Sequence, residues 1–182
     1  MVWTHQGIDI PLEIYHGIPS GWSASDLVAE HARLGGVHDI SVGRIAGPRP
    51  DWLPQRSEWL RYRETLYRIA DGVSHGDLAC IELAVRFIEL RYIGSYSGFI
   101  REKLARRLRW AEINPDQRLR LHRHLRMLVL RGERTQEFRD YIKLWRVLIT
   151  GEEREEVLLS VREQRGNEAA EWLASRLSQI VG

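Results

Sequence analysis

The sequence predicts a mainly α-helical protein: a compact bundle of antiparallel helical hairpins carrying a small extended or β element at its N-terminus. Two observations lead there. From Ser57 onward, apolar residues recur at helical spacing between clear start and stop signals. Residues 1–55 lack that period, alternate instead, and break at Gly47-Pro48-Arg49-Pro50 and Pro54. The chain therefore reads as an N-terminal arm, residues 1–55, with one short helix and a Pro-rich linker, followed by an all-α domain, residues 56–182, of about seven helices.

Taken in order, Ile8, Ile10, Leu12 and Ile14 alternate with Asp9, Pro11, Glu13 and Tyr15, the pattern of a half-buried strand. Pro11 lacks an N–H for a ladder, so the strand belongs at an edge. Ser23 with Asp26 opens a short helix with a capping box, Leu27, Val28 and Leu34 form its apolar face, and Gly35-Gly36 stop it. Val37 to Ile45 alternates again and is expected as a second strand. The first long helix is expected over Ser57 to Asp71. The next starts at Asp77, or at Ser74 as cap, and ends at Gly94; its only polar lane is Glu82, Arg86 and Glu89, which makes it the central buried helix. A third runs from Ser97 to Trp110, with Ile100, Leu104 and Leu108 inward.

Asn114, Pro115 and Gln117 give the fourth helix a complete start signal, and Gly132 its stop. The fifth begins after Thr135 with Phe138, Tyr141, Ile142, Trp145 and Leu148 on one side. The sixth opens on a Thr150–Glu153 capping box and stops at Gly166, and the seventh is capped by Asn167. Helix pairs recur roughly every 38 residues, loosely like HEAT-type hairpins, so a HEAT-like stack is the alternative to a compact bundle.

Composition narrows the function classes. No apolar run reaches the ~20 residues of a membrane span, and Met1-Val2-Trp3-Thr4-His5 has no signal-peptide pattern. The single cysteine, Cys80, excludes an internal disulfide and fits a reducing compartment, so a cytoplasmic location and no membrane partner are expected. Phosphate-loop and dinucleotide fingerprints are absent, and no cofactor is expected.

The histidines offer two constellations. His31 followed by His38-Asp39 is similar to the His…His-Asp pattern of metal phosphohydrolases, but Gly35-Gly36 and a strand-like segment separate residues that would have to sit on packed helices. Ser74-His75-Gly76-Asp77, with Cys80 nearby, contains nucleophile, base and acid types; its plainer task is to start a helix, with Cys80 buried and inert. His122 and His124 stand about 200° apart around a helix and cannot chelate together. No catalytic residue and no metal ligand is expected.

Charge is the strongest functional signal. Residues 56–150 carry 18 Arg and 2 Lys against 12 acids, whereas both flanks are net acidic. Arg101, Lys103, Arg106, Arg107 and Arg109, with Trp110 beside them, fan across the solvent side of the third helix. Arg120, Arg123 and Arg126 do so on the fourth. These nine residues are the expected partner-binding face. Trp3, Trp22 and Trp52 in the arm either anchor a partner or clamp the arm to the helical body.

The expected function is therefore non-catalytic binding: an adaptor, inhibitor or accessory subunit docking on an acidic protein surface, with a second copy of the chain as a further candidate partner. A sequence-nonspecific nucleic-acid binder using the same face is the alternative, and an enzyme with a site near His75 and Asp77 the second alternative.

Overall fold

Side chains that reach back to free backbone amides set the helix starts, as their spacing predicts. Ser23 and Asp26 form a reciprocal capping box at the head of α1 (Ala24–Arg33). Asp77 caps α3 (Leu78–Leu90) by accepting from the Cys80 amide at 2.8 Å. Asn114 and Gln117 exchange hydrogen bonds at the start of α5 (Pro115–Leu130). Thr150 and Glu153 do the same at α7 (Gly151–Glu163). Each box satisfies amides that an α-helix leaves without partners in its first turn. The remaining helices are α2 (Arg56–Ser74), α4 (Ser97–Leu108) and α6 (Phe138–Leu148).

The computed structural model describes residues 2–5, 8–11, 17–43, 56–92, 94, 96–130 and 137–163. It is mainly helical. The linker at 47–54, the stops at Gly132 and Gly166 and the seventh expected helix from Asn167 lie outside the described residues. The chain divides into two compact units, Met1–Glu112 and Ile113–Gly182.

In the first unit α3 is the central helix. Ala79, Cys80, Ile81, Leu83, Ala84, Val85, Phe87 and Ile88 are all buried, against α1, α2 and α4 around it. Its polar lane holds Arg86, whose guanidinium bonds Glu82 at 2.6 Å and also Glu30 of α1 at 2.6 Å. Trp22 lies against Phe87 with ring centroids 5.4 Å apart, so this tryptophan does clamp the arm to the helical body. Tyr62 and Trp59 of α2 meet Tyr96, just before α4, edge to face. β1 (Val2–His5) and β2 (Ile8–Pro11) form an antiparallel pair, with Pro11 in register with Val2 at the open end of the ladder. In the second unit α6 packs on α5 and buries Tyr141, Leu144, Trp145 and Leu148.

Several boundaries differ from expectation. α2 continues past Asp71, and Ser74 closes it by bonding back to the Ala70 carbonyl rather than capping the next helix. α3 stops at Leu90, not Gly94, because Arg91 adopts a left-handed backbone (φ 52°) usually left to glycine. Residues 37–43 form no strand. Their ladder donors are committed elsewhere: the Val37 and His38 amides go to the Asp77 carboxylate, and the Ser41 amide goes to Asp39.

Candidate functional site

The expected basic face divides into residues that the fold absorbs and residues that stay outside. On α4, Arg101 is only 7% exposed and donates to the Tyr92 carbonyl, so it belongs to the packing and not to a surface. This corrects its placement among the outward cations: a helical wheel gives direction, but a carbonyl at the preceding turn draws the guanidinium in. Lys103 pairs with Asp71 at 3.2 Å and covers the Tyr67 ring. Arg106 reaches Glu102 one turn back at 3.1 Å while remaining largely exposed, an i,i+4 pair of small energetic weight.

Beyond these the surface opens. Arg107 is exposed, with no acidic partner among the described residues. The Arg109 guanidinium lies 5.5 Å from the centroid of the Trp110 ring, a cation–π contact. Trp110 itself is 83% exposed. The C-terminal end of α4 therefore presents an indole among three arginines.

In the second unit the cations are more fully matched. Arg120 meets Asp116 at 3.5 Å, and Arg126 meets Glu156 of α7 at 2.7 Å. Glu153 of α7 faces His122 at 3.9 Å, and backbone donation from Thr150 in the capping box holds its carboxyl below the usual range. Arg118 donates to the Leu148 carbonyl. Arg123 is the residue of the expected set on α5 that stays exposed without an acidic partner among the described residues. The glutamates at the start of α7 thus neutralise part of this face.

The two histidine constellations, expected to be separate and idle, are brought together. His31 ends α1, Asp77 and Cys80 begin α3, and all three are buried. His31 Nε2 lies 3.3 Å from Asp77 Oδ1, and Oδ1 also takes the Cys80 amide. Asp77 Oδ2 accepts from the amides of Val37 at 2.7 Å and His38 at 2.8 Å. Burial alone would raise the Asp77 pKa, but these three backbone donors and His31 hold it well below the usual carboxylate range. Burial, with Asp77 alongside, pushes the Cys80 thiol far up.

His38 stacks on His75 with centroids 5.0 Å apart, and His75 Nδ1 bonds the Asp71 carbonyl at 2.8 Å. Asp39, the acid of the expected His-Asp pattern, turns away to Ser41 and Arg68. Asp77 takes its place. Two glycines permit this closeness. A Cβ on Gly36 would lie 2.1 Å from His31 Nε2, and one on Gly72 would lie 2.4 Å from Cys80 Sγ. Neither glycine carries a local signal, because Gly72 sits inside a helix and Gly36 follows an ordinary helix stop.

A cleft beside α1, lined by Trp22, Leu27, Glu30, Arg33, Leu83 and Arg86, is a further concavity. Its charges answer each other: hydrogen bonds from Arg33 and Arg86 draw the Glu30 carboxyl down to about 2. No helix among the described residues is long and apolar enough to cross a membrane. No protein-family model, no curated protein and no solved structure matches this chain.

Proposed function

We propose that this chain is a non-catalytic binding protein, an adaptor, inhibitor or accessory subunit, that docks on an acidic segment of a protein partner through the C-terminal end of α4. The reading rests on Trp110, 83% exposed beside Arg106, Arg107 and Arg109. Tryptophan and arginine are the residue types that dominate binding energy at protein interfaces. Withdrawing an indole from water buries on the order of 200 Å², and the neighbouring guanidinium groups favour carboxylates and speed encounter.

Magnitude favours protein over nucleic acid. Nonspecific binding to a duplex commonly uses on the order of 6–10 phosphate contacts. Of the nine expected residues, Arg101 is buried and Lys103, Arg106, Arg120 and Arg126 are paired with acids. What remains in the first unit is Trp110 with Arg107 and Arg109, a better match to a short acidic peptide than to a phosphate track.

The test is affinity capture with the purified chain as bait, comparing wild type with Trp110→Ala and with Arg106, Arg107 and Arg109 changed together to Glu. Loss of one specific protein in both variants is expected, at unchanged circular dichroism. Equal capture by all three removes this patch from the function. Recovery of nucleic acid, with affinity falling steeply as salt rises, would replace the protein reading by the nucleic-acid one. A concentration-dependent rise in mass by light scattering, lost in Trp110→Ala, would make a second copy of the chain the partner.

A further inference from the structure

We propose that His31, Asp77 and Cys80 form a binding site for a divalent transition-metal ion of the zinc class. One ligand atom from each residue lies within 4.8 Å of the other two, and all three residues are buried. Imidazole, carboxylate and thiolate are the three ligand types that zinc takes in proteins.

The geometry supports an ion in the place of a shared proton. On zinc bonds of about 2.0–2.1 Å, two nitrogen or oxygen vertices of a tetrahedron stand about 3.3 Å apart. His31 Nε2 and Asp77 Oδ1 are 3.3 Å apart. The other acceptor positions of the carboxylate are occupied, since Oδ2 holds the Val37 and His38 amides and Oδ1 holds the Cys80 amide. The lone pair of Oδ1 directed at His31 is the one left for a metal. Those backbone donors supply the outer partners that orient a ligating carboxylate.

With a zinc–sulfur bond of about 2.3 Å, the sulfur vertex belongs about 3.5 Å from the other two, so from within 4.8 Å Sγ closes by about 1.3 Å at most. Gly36 and Gly72 leave no Cβ over His31 Nε2 or Cys80 Sγ, the two ligand atoms that a larger residue would obstruct. His38 Cδ2 lies 3.0 Å from the same empty Cβ position at Gly72, so the His38 ring borders this space.

Binding balances as follows. His31 carries its ring proton on Nδ1 and turns the Nε2 lone pair to the ion. Cys80 releases its thiol proton to solvent. The thiolate and the Asp77 carboxylate together neutralise the 2+ charge, and a water molecule fills the fourth position. A high thiol pKa does not prevent this, because a coordinated thiol is deprotonated outright. It does make affinity fall as pH falls.

Co²⁺ is the probe, added to the full chain after treatment with a chelator. Cys80 is the sole cysteine, so any thiolate-to-cobalt charge-transfer band reports this site alone. The expected result is one Co²⁺ per chain, with that near-ultraviolet band, strong visible bands of tetrahedral cobalt, and displacement by one equivalent of Zn²⁺. Cys80→Ser should abolish the near-ultraviolet band, and His31→Gln should weaken binding at least tenfold with circular dichroism unchanged. Co²⁺ uptake by wild type without the charge-transfer band would assign binding to surface histidines and overturn the proposal. So would no uptake at micromolar Co²⁺. Neither result depends on a variant folding.

Discussion

Two polar regions of the first unit handle charge in opposite ways. At the Asp77 junction, ionisable groups are buried and every oxygen of the carboxylate has a donor. At the end of α4, an indole and Arg107 stand in water, with the partly buried Arg109 against the indole ring. A saturated buried carboxylate holds backbone segments together, and removing it leaves amides stranded without water. An exposed tryptophan contributes little to the fold that carries it, which leaves it free for a partner. The contrast separates residues that the fold consumes from residues that it leaves exposed, and it can be broken at several points.

The largest effect is expected from Asp77→Ala. It strands three backbone amides, at roughly 1–3 kcal/mol for each buried unsatisfied group. Chemical denaturation should show a loss of at least about 3 kcal/mol. A loss below 1 kcal/mol would mean that water satisfies those amides and that the junction is not closed.

Gly72→Ala comes next. Alanine gains about 1 kcal/mol in helix propensity over glycine, whereas forcing a Cβ into a filled space costs roughly 1–3 kcal/mol. The new atom would meet Cys80 Sγ at 2.4 Å, a contact severe enough to put the cost at the upper end of that range, so net destabilisation of up to about 2 kcal/mol is expected. In a Cys80→Ala background the worst contact relaxes to 3.0 Å, and the same substitution should become nearly neutral. A double-mutant cycle measures that coupling; additivity would show that the helix shifts instead.

Glu153→Ala removes one half of the capping box on α7 and is expected to cost about 0.5–1 kcal/mol at neutral pH. The Glu153 carboxyl has a lowered pKa in the folded chain, chiefly through Thr150. Its contribution is therefore complete above the unfolded glutamate value of about 4.3. It fades as pH falls through that value toward the lower folded one. The stability gap between wild type and variant should narrow below about pH 4; a gap independent of pH would assign the loss to helix propensity alone.

Trp110→Ala should change stability least, within about 0.5 kcal/mol, as for surface positions free of buried contacts. A larger thermal shift would place the indole among the fold's own contacts and remove the functional contrast with Asp77.

What the sequence made legible was local. The boxes at Ser23, Asn114 and Thr150 each close over three residues, and the Asp77 cap does too, so their spacing suffices to place helix starts. The buried character of α3 was equally plain, because only one lane of it is polar. What could not be read is long-range. His31 meets Asp77 across 46 positions, and Glu30 meets Arg86 across 56. The strand expected from Val37 fails for the same reason: alternation reports side chains, while the fate of its amides is decided by a carboxylate on another helix. Arg101 misled in a related way, since charge suggested solvent and a carbonyl in the turn ahead of α4 decided otherwise. The outward placement of Trp110 followed from its position at a helix end.

One carboxylate carries both the cap of α3 and the loop after α1, and this shapes how the molecule comes apart. The amides of Val37, His38 and Cys80 hang on the same two oxygens. None can be released alone without leaving Asp77 short of a donor, so in deuterium solvent the three should exchange together, through a single opening event with one common protection factor. The start of the segment after α1 would then come loose together with the first turn of α3, while Arg61, bonded to the Val42 carbonyl, and buried Ile40 still hold its far end.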